Sequence, residues 1–536
     1  MARANNANKS NKPSPASDPA ANGPKRTGPI FAAKPASAGW SGAINAELVA
    51  NIAELRRVFD KCSDFVIREF HASGMNRDAV VAYIDGLVKH EFIMDNVLKP
   101  LIVYSHEGDA DGIDSLEKVN ARALLASGTK LLYTGDDALD ALLHGDSLLM
   151  IDGMAGGISI SVRGWERRNI SEPQTETVVF GPREGFTETI RVNTALLRRR
   201  IYTNDLRMET MTIGSRTQTP VAISYLSEIA DPEIVEDVKR RLSSVDVDSI
   251  ENSGALIEYI ESEPASLFET VSYTEKPDVV AAQLLEGRVA ILVDGSPFAL
   301  IVPTLFVECF QTAEDYSVRT YYATFLRIIR LIAFFVSLIA PAAYVALASR
   351  HQELIPNALL FTMAASSEGL PFPSFIETAL MLVIFEILKE AGIRLPKPVG
   401  QAISIVGALV MGQAAIQAGL VGAPVVIVIA LTAVASFAIP MLSNTLTLLR
   451  WFMLVMAEVF GGYGITLGLL AIFVHLASLK SFGVLYMNPI APIRVSDLKD
   501  ALIRAPLWSM KYRPVSLHPL DSARQNSRKP DFEKNE

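Results

Sequence analysis

The sequence is poor in the residues that carry most metal and redox chemistry: its 536 residues include 2 cysteines, Cys62 and Cys309, and 7 histidines. Two cysteines so far apart supply neither a disulfide framework nor a Cys-x-x-Cys pair, and they suit a reducing, cytoplasmic setting. The short motifs that announce many enzymes are also missing. There is no phosphate-binding G-x-x-x-x-G-K-[ST] loop, no H-E-x-x-H, no G-x-S-x-G elbow and no dinucleotide glycine fingerprint. The expectation is a non-enzyme without metal or cofactor. The opening stretch MARANNANKSNKPSPASDPAANGPKRTGP lacks the apolar core of a signal peptide and reads as a disordered, basic tail, so internal segments are expected to drive any membrane insertion. Weak attraction of that tail to anionic lipid is one reading and a merely solvated tail the other.

What the chain has in quantity is apolar sequence, unevenly placed. Hydrophobic residues make up 50% and the formal net charge is −9, but most of the charge lies before about Leu326. Five apolar runs follow: Leu331 to Ala348, Phe375 to Ile387, Ile403 to Ala423, Val425 to Leu442 and Trp451 to Leu479. Several can cross about 30 Å of hydrocarbon at about 1.5 Å per residue. The expected organisation is a disordered tail (1–44), a soluble domain of two lobes (45–325), a helical transmembrane domain (326–480) and a C-terminal tail (481–536). Arg319, Arg327 and Arg330 precede the first run, and Lys480, Arg494, Lys499, Arg504, Lys511 and Arg513 follow the last against Asp497 and Asp500. Both flanks therefore read as cytoplasmic. That requires an even number of crossings, four or six, which five runs do not give. Either one run lies along the interface, or Trp451 to Leu479 folds back near Gly461 and Gly462.

The soluble half contains a repeat: DDALDALLHGDSLLMIDGMAGGISISV from Asp136 resembles PDVVAAQLLEGRVAILVDGSPFALIVP from Pro277. Each reads as a helix stopped at Gly145 or Gly287, a strand, an Asp-Gly hairpin at Asp152-Gly153 or Asp294-Gly295, and a second strand. Asp-Gly at a hairpin needs no chemistry to explain it, so these carboxylates read as turn residues rather than as a catalytic pair. Helices are expected over Asn45 to His71, Asp78 to Phe92, Thr187 to Arg200 and Pro232 to Ser243, with strands near Arg207 to Ile213 and Val221 to Leu226. The fold class is thus α/β or α+β, followed by an all-α polytopic region.

Three blocks, in order, carry a family resemblance. They are GWERRNISEPQTETVVFGPREGFTETIRVNTALLRRRI from Gly164 to Ile201, the membrane block EGLPFPSFIETALMLVIFEILKEAGIRLPKPVGQAISIVGALVMGQAAIQAGLVGAPVVIVIALTAVASFAIP, and PIAPIRVSDLKDALIRAPLWSMKYRP in the tail. Together they resemble the GerA spore germination protein family over about residues 46 to 515. In one position the chain departs from the family pattern, having Leu382 where many members carry an acid. The resemblance implies the A subunit of a nutrient-sensing germinant receptor in the inner membrane of dormant spores. It implies an oligomeric ion channel working with a transporter-like B subunit that binds nutrient and a lipoprotein C subunit. The stage V sporulation AF-type branch shares the blocks. A non-conducting membrane scaffold and a secondary transporter subunit are the readings from other classes, and no nucleic-acid partner is expected.

Within the membrane block, helical spacing puts Val406, Val410, Gln413 and Gln417 on one face. Around an oligomer axis that face would give valine rings able to dewet, beside amide rings able to replace part of an ion's hydration shell. The same helix is rich in Gly, Ala and Ser, which also suits plain close packing. Glu377 and Glu386 are costly at membrane depth and fall on opposite faces of one helix, either as functional acids or as the solvated side of an interfacial helix. Pro371, Pro373 and Pro396 make this the candidate hinge. Arg183, Glu184, Arg198, Arg199 and Arg200 form a charged cluster read as a site of assembly or coupling.

Overall fold

The computed structural model describes residues 39–525, except 74, 103–113, 127, 165–172, 174, 177, 179 and 395–409. The tail before residue 39 lies outside these. The folded part begins ahead of the expected boundary at residue 45: Trp40 is buried, and Ala43 forms a bridge with Thr134.

The first lobe opens with α1 (Leu48–Val58) and the pair β1 (Phe65–Ala72) and β2 (Arg77–Ile84). After β3 (Thr129–Leu132) come α2 (Gly135–Leu143) and the hairpin β4 (Ser147–Ile151) and β5 (Gly157–Ile160). The second lobe runs α3 (Ile190–Arg198), β6 (Leu206–Ile213), β7 (Thr219–Leu226), α4 (Pro232–Ser243), α5 (Ser253–Ile260), β8 (Ser272–Thr274), α6 (Pro277–Leu284), β9 (Val289–Val293) and β10 (Ala299–Val302). Sheet orders are β1-β2-β4-β5-β3 and β6-β7-β9-β10-β8, the same topology twice, with every pairing antiparallel. This is α+β architecture.

Each sheet is covered on both faces. Along β2, Val81 and Tyr83 enter one core while Val80, Ala82 and Ile84 enter the other, and β4 divides likewise between Leu149 and Ile151 and Leu148 and Met150. Two expectations are corrected, and for β2 this burial is the reason. Helix was expected over Asn45 to His71 and Asp78 to Phe92, but α1 stops at Val58 and β1 and β2 follow. A strand apolar on both faces loses its alternation, so a run such as AVVAYI cannot be told from helix by periodicity. Thr187 to Arg200 and Pro232 to Ser243 do contain helices, and β6 and β7 occupy the expected strand regions.

The repeat extends into the hydrogen bonds. Asp152 Oδ1 accepts from the Leu48 amide (3.1 Å), 104 residues earlier, and Asp294 Oδ1 accepts from the Ile190 amide (2.9 Å), again 104 earlier. Asn51 closes a loop onto Asn45 as Asn193 does onto Thr187. Neither α1 nor α3 has a side-chain cap of its own, so each Asp-Gly turn supplies an acidic group to the start of its lobe's first helix. Asp152 and Asp294 are thus fully accounted for as structural groups.

The helical region comprises α7 (Thr320–Ser349), α8 (Asn357–Ser367), α9 (Ser374–Arg394), a helix over residues 410–417, α10 (Ala423–Phe437) and α11 (Ser443–Ser478). Among the described residues, Thr320–Ser349 and Pro440–Ser478 are long and apolar enough to cross a membrane; α10 is a shorter apolar helix. The backbone of α11 breaks at Gly461, with φ 62 and ψ −142. Its two halves run back to one place: Thr445 Oγ1 near its start donates to the Leu267 carbonyl (2.7 Å), and His475 Nε2 near its end meets Ser266 Oγ (3.0 Å). The halves touch through glycine, since a Cβ on Gly464 would lie 2.0 Å from the Met456 oxygen and one on Gly468 2.7 Å from Met453 Sδ. The fold-back near Gly461 is therefore present.

A shared core joins the second lobe to this bundle, with Phe268, Phe306 and Phe310 packed on Phe334 and Leu338 of α7 and on Leu446 and Leu476 of α11. The C-terminal tail then returns to the lobe, where Leu517 is fully buried and the Leu520 amide donates to Ile229 O.

Candidate functional site

The residues of the expected pore face stand clear of the bundle. Val410 is 53% exposed, and Gln413 and Gln417 are exposed on the same helix. Met411, Ala414 and Ile416 of the same helix are exposed too; Gly412 is buried, and a Cβ there would sit 3.0 Å from Val426 of α10. Val406 and Pro396 lie outside the described residues. Pro371 and Pro373 occupy the non-helical approach to α9, where a hinge was expected.

Glu377 lies in the first turn of α9 and Glu386 past its middle, and they touch different partners. Glu377 is buried and accepts from the Gly422 amide (3.0 Å), tying the first turn of α9 to the turn before α10. Glu386 pairs with Lys389 (2.9 Å) and receives the Thr447 hydroxyl at 3.4 Å. Leu382 lies between them in an apolar cluster with Tyr344, Val345 and Leu454, so this helix carries no acid at the departing position.

The arginine cluster divides. Arg198 is buried and bidentate to Asp64 of the first lobe (2.7 and 3.0 Å), pinning one lobe to the other. Burial opposes the Arg198 charge, but Asp64 outweighs it and holds the guanidinium pKa above its usual value. Arg199 and Arg200 turn to Glu184 (3.4 and 2.9 Å), and Arg183 is exposed beside them. Arg198 thus meets the first lobe, while Arg199 and Arg200 share Glu184.

A buried polar knot centres on Arg327 and Asp315, residues of which the sequence offered only Arg327, as a flanking charge that sets topology. Arg327, on the second turn of α7, is fully buried: Nε donates to Asp315 Oδ2 (3.0 Å), and Nη1 to Asp500 Oδ1 (3.0 Å) and to the carbonyls of Asp500 and Ala501 (2.6 and 3.1 Å). Arg330 grips Asp315 from the other side (2.8 and 2.9 Å). Tyr316 donates its hydroxyl to Asp500 (2.9 Å), and Arg504 reaches Thr320 Oγ1 (2.8 Å). Burial pushes against ionisation of Asp315, but the two arginines prevail and its pKa falls below the usual carboxylate range. For Asp500 burial wins over Arg327, and its pKa is raised. This knot joins the end of the lobe, the start of α7 and the C-terminal tail. Its geometry fixes the rotation of α7 about its axis, because a planar guanidinium holding two carboxylates tolerates little change of angle. Among the described residues no three His, Cys, Asp or Glu side chains come together as metal ligands.

The family model described as Bacillus/Clostridium GerA spore germination protein matches residues 53–516. Spore germination protein KA of Bacillus subtilis (strain 168) is 44% identical over 485 residues, covering 90% of this chain and 89% of that protein. Spore germination protein GerLA of Bacillus cereus is 39% identical over 472 residues, covering 88% and 95%. An uncharacterized membrane protein of Bacillus subtilis, YfkQ, is 41% identical over 473 residues, covering 88% and 91%. Among solved structures, the N-terminal domain of the A subunit of the Bacillus megaterium spore germinant receptor GerK3 is 32% identical and matches 50% of this chain and 98% of that one, with a TM-score of 0.40. The chain belongs to the GerA spore germination protein family.

Proposed function

We propose that the chain is the A subunit of a nutrient-sensing germinant receptor, without enzymatic activity, and that several copies surround an ion pathway through the spore inner membrane. The observation that carries the reading is the helix over residues 410–417, which meets α10 at Gly412 and leaves Val410, Gln413 and Gln417 uncovered, along with Met411, Ala414 and Ile416. An uncovered face of valine and amide amid apolar helices suits an axis where an apolar constriction closes by dewetting and amides replace ion hydration.

The contacts of the bundle support an even number of crossings. α7 leads away from the lobe. α9 returns toward it, since Glu377 at its start meets the turn before α10 while Glu386, past its middle, lies beside Thr447, close to the Thr445 contact with Leu267. α10 ends at the lobe-facing core, and the two halves of α11 leave and return. With the apolar run Ile403 to Ala423 of the sequence counted as the remaining outward segment, six crossings would put the lobes and the tail on the side that the Lys and Arg residues mark as cytoplasmic.

In this mechanism a transporter-like B subunit binds the nutrient and a lipoprotein C subunit completes the assembly. Their rearrangement moves the lobes, the Arg327 knot turns α7, and α7 shifts the helices that flank the pore face. Hydration of the valine constriction then lets monovalent cations leave. The test is potassium release from dormant spores of the wild type, a deletion and Val410→Ala, offered a mixture of the twenty L-amino acids, glucose and potassium-free buffer salts. Loss of release in the deletion together with leak or a lowered threshold in Val410→Ala is the expected result. Unchanged release in both strains contradicts the reading.

A further inference from the structure

The C-terminal tail has two unlike sides. One side is fixed: the Arg504 amide donates to Thr324 Oγ1 (3.2 Å) and its guanidinium to Thr320 Oγ1 (2.8 Å), which sets Ile503 alongside the first turns of α7. The other side is apolar and bare. Ile493 and Val495 are each 74% exposed, and Ile503, Leu507 and Trp508 are exposed as well. Soluble surfaces rarely leave such a group of large apolar side chains uncovered, and one with cations around it marks a site of association.

The neighbouring surface indicates what covers it. On α7, at the level of Thr320 and Thr324, Tyr321 is 90% exposed, and Tyr322, Phe325 and Ile328 continue the bare stripe toward the middle of the helix. Tyrosines and a tryptophan at the entry of a membrane helix are the composition of the interfacial belt, where an aromatic ring is half in lipid and half in water. Lys499 and Lys511 stand exposed on the same tail segment, cations suited to phosphate headgroups.

We propose that tail residues 493–512 lie in the membrane interface, with Ile493, Val495, Ile503, Leu507 and Trp508 seated among lipid and Lys499 and Lys511 on anionic headgroups. The partner of this surface is a negatively charged bilayer face, and the inference rests on the membrane reading of the helical region. Because the same segment carries Asp500 and Arg504, the lipid surface then holds the strap that clamps α7. A change in lipid packing or surface charge acts directly on the start of the first membrane helix.

The natural cysteines Cys62 and Cys309 are both buried, so a cysteine introduced at the surface takes a bimane label selectively. The full chain carrying Ile503→Cys, Leu507→Cys, Ile332→Cys or Ser244→Cys is reconstituted in phosphatidylcholine vesicles with and without phosphatidylglycerol. The vesicles carry nitroxide on the headgroup or at carbon 5 of the acyl chain. Labels at 503 and 507 should lose about half of their emission to the shallow nitroxides, matching a seat roughly 5–10 Å below the headgroups, and more with phosphatidylglycerol present. Ser244→Cys, on the lobe, should keep its emission. Absence of quenching at both 503 and 507 while Ile332→Cys on α7 is quenched overturns the inference and leaves the membrane reading standing. Energy transfer between labels on different chains in place of lipid quenching assigns the surface to a second copy, which also overturns it. Absence of quenching at Ile332→Cys contradicts the membrane reading itself.

Discussion

Arg450 donates from Nε to the main-chain oxygen of Ser337 (3.0 Å) and from Nη2 to its hydroxyl (2.9 Å). Pro341 follows four residues later inside the same helix and has no N–H to offer that carbonyl. An arginine of α11 thus fills the vacancy that a proline makes in α7, and both Arg450 and Ser337 are buried. The pair holds a locally weakened stretch of α7 against the first half of α11, at the point where a helix bends most easily.

The pairing predicts non-additivity. Arg450→Met strands a buried carbonyl and hydroxyl and should destabilise the membrane-embedded chain by about 1–3 kcal/mol. Pro341→Ala restores the missing N–H, so the double variant should lose less than the sum of the two single changes. Thermal unfolding of the four proteins in one detergent measures this. Strict additivity would show that Arg450 and Pro341 act independently.

The lobes should respond in a similar way at Asp64 and Arg198. Removing either partner of this buried pair leaves an uncompensated charge and should cost about 3–5 kcal/mol, whereas Asp64→Leu combined with Arg198→Met should cost less than either alone. Urea unfolding followed by the far-ultraviolet signal of the sheets provides the check. A double variant less stable than both single variants would contradict the assignment.

Much of this was legible in the sequence, and the rest was hidden for physical reasons. The helix Pro232–Ser243 declares itself by Asp231 capping the Glu233 amide, proline in the first turn and apolar residues at 234, 235, 238 and 242. The Asp-Gly turns declared the repeat, although sequence alone did not say that each turn reaches back 104 residues to cap a helix. β2 was misread because burial on both faces erases the alternation that marks a strand. The Arg327 knot was invisible for another reason: Arg327 and Asp500 are 173 residues apart, and a charge beside a membrane segment is first explained by topology. The spacing of Val410, Gln413 and Gln417 was readable as a helical pattern, and their exposure on the helix over 410–417 came from the structure.

The junction between lobe and bundle should be sensitive to pH through Glu269. Burial, reinforced by the charge of Glu261, raises the pKa of Glu269 to about 7. The folded state therefore holds a proton that the unfolded chain releases near the ordinary value of 4.5. Stability falls as pH rises between these two values and stays at the lower level above pH of about 7. Glu269→Gln should remove most of this slope and melt higher than the wild type at pH of about 8. Melting temperatures between pH 5 and 8 decide it; equal slopes in the two proteins would rule out Glu269 as the source.

Asp315 and Asp500 should differ in what their loss does. Asp315 is held ionised between two arginines, so Asp315→Asn should lower the amount of folded chain in the membrane. Asp500 is the half of the knot that burial weakens, so Asp500→Asn should leave the amount unchanged and speed tryptic cleavage of the tail at Lys499 and Lys511 by roughly fivefold or more. Immunoblots of inverted membrane vesicles give both quantities, and identical behaviour of the two variants would refute a two-sided clamp.

The central claim is that the face bearing Val410, Gln413 and Gln417 lines a water-filled path. The most direct measurement places cysteine at each of these positions and at Leu431, an exposed residue of α10, in a chain whose own cysteines are both buried. The complete receptor is reconstituted in vesicles, and potassium flux is followed as a charged thiosulfonate reagent is added. The account predicts that modification at 410, 413 and 417 changes the flux and that modification at 431 does not. Flux unaffected at all three positions, or affected equally at Leu431→Cys, would contradict it.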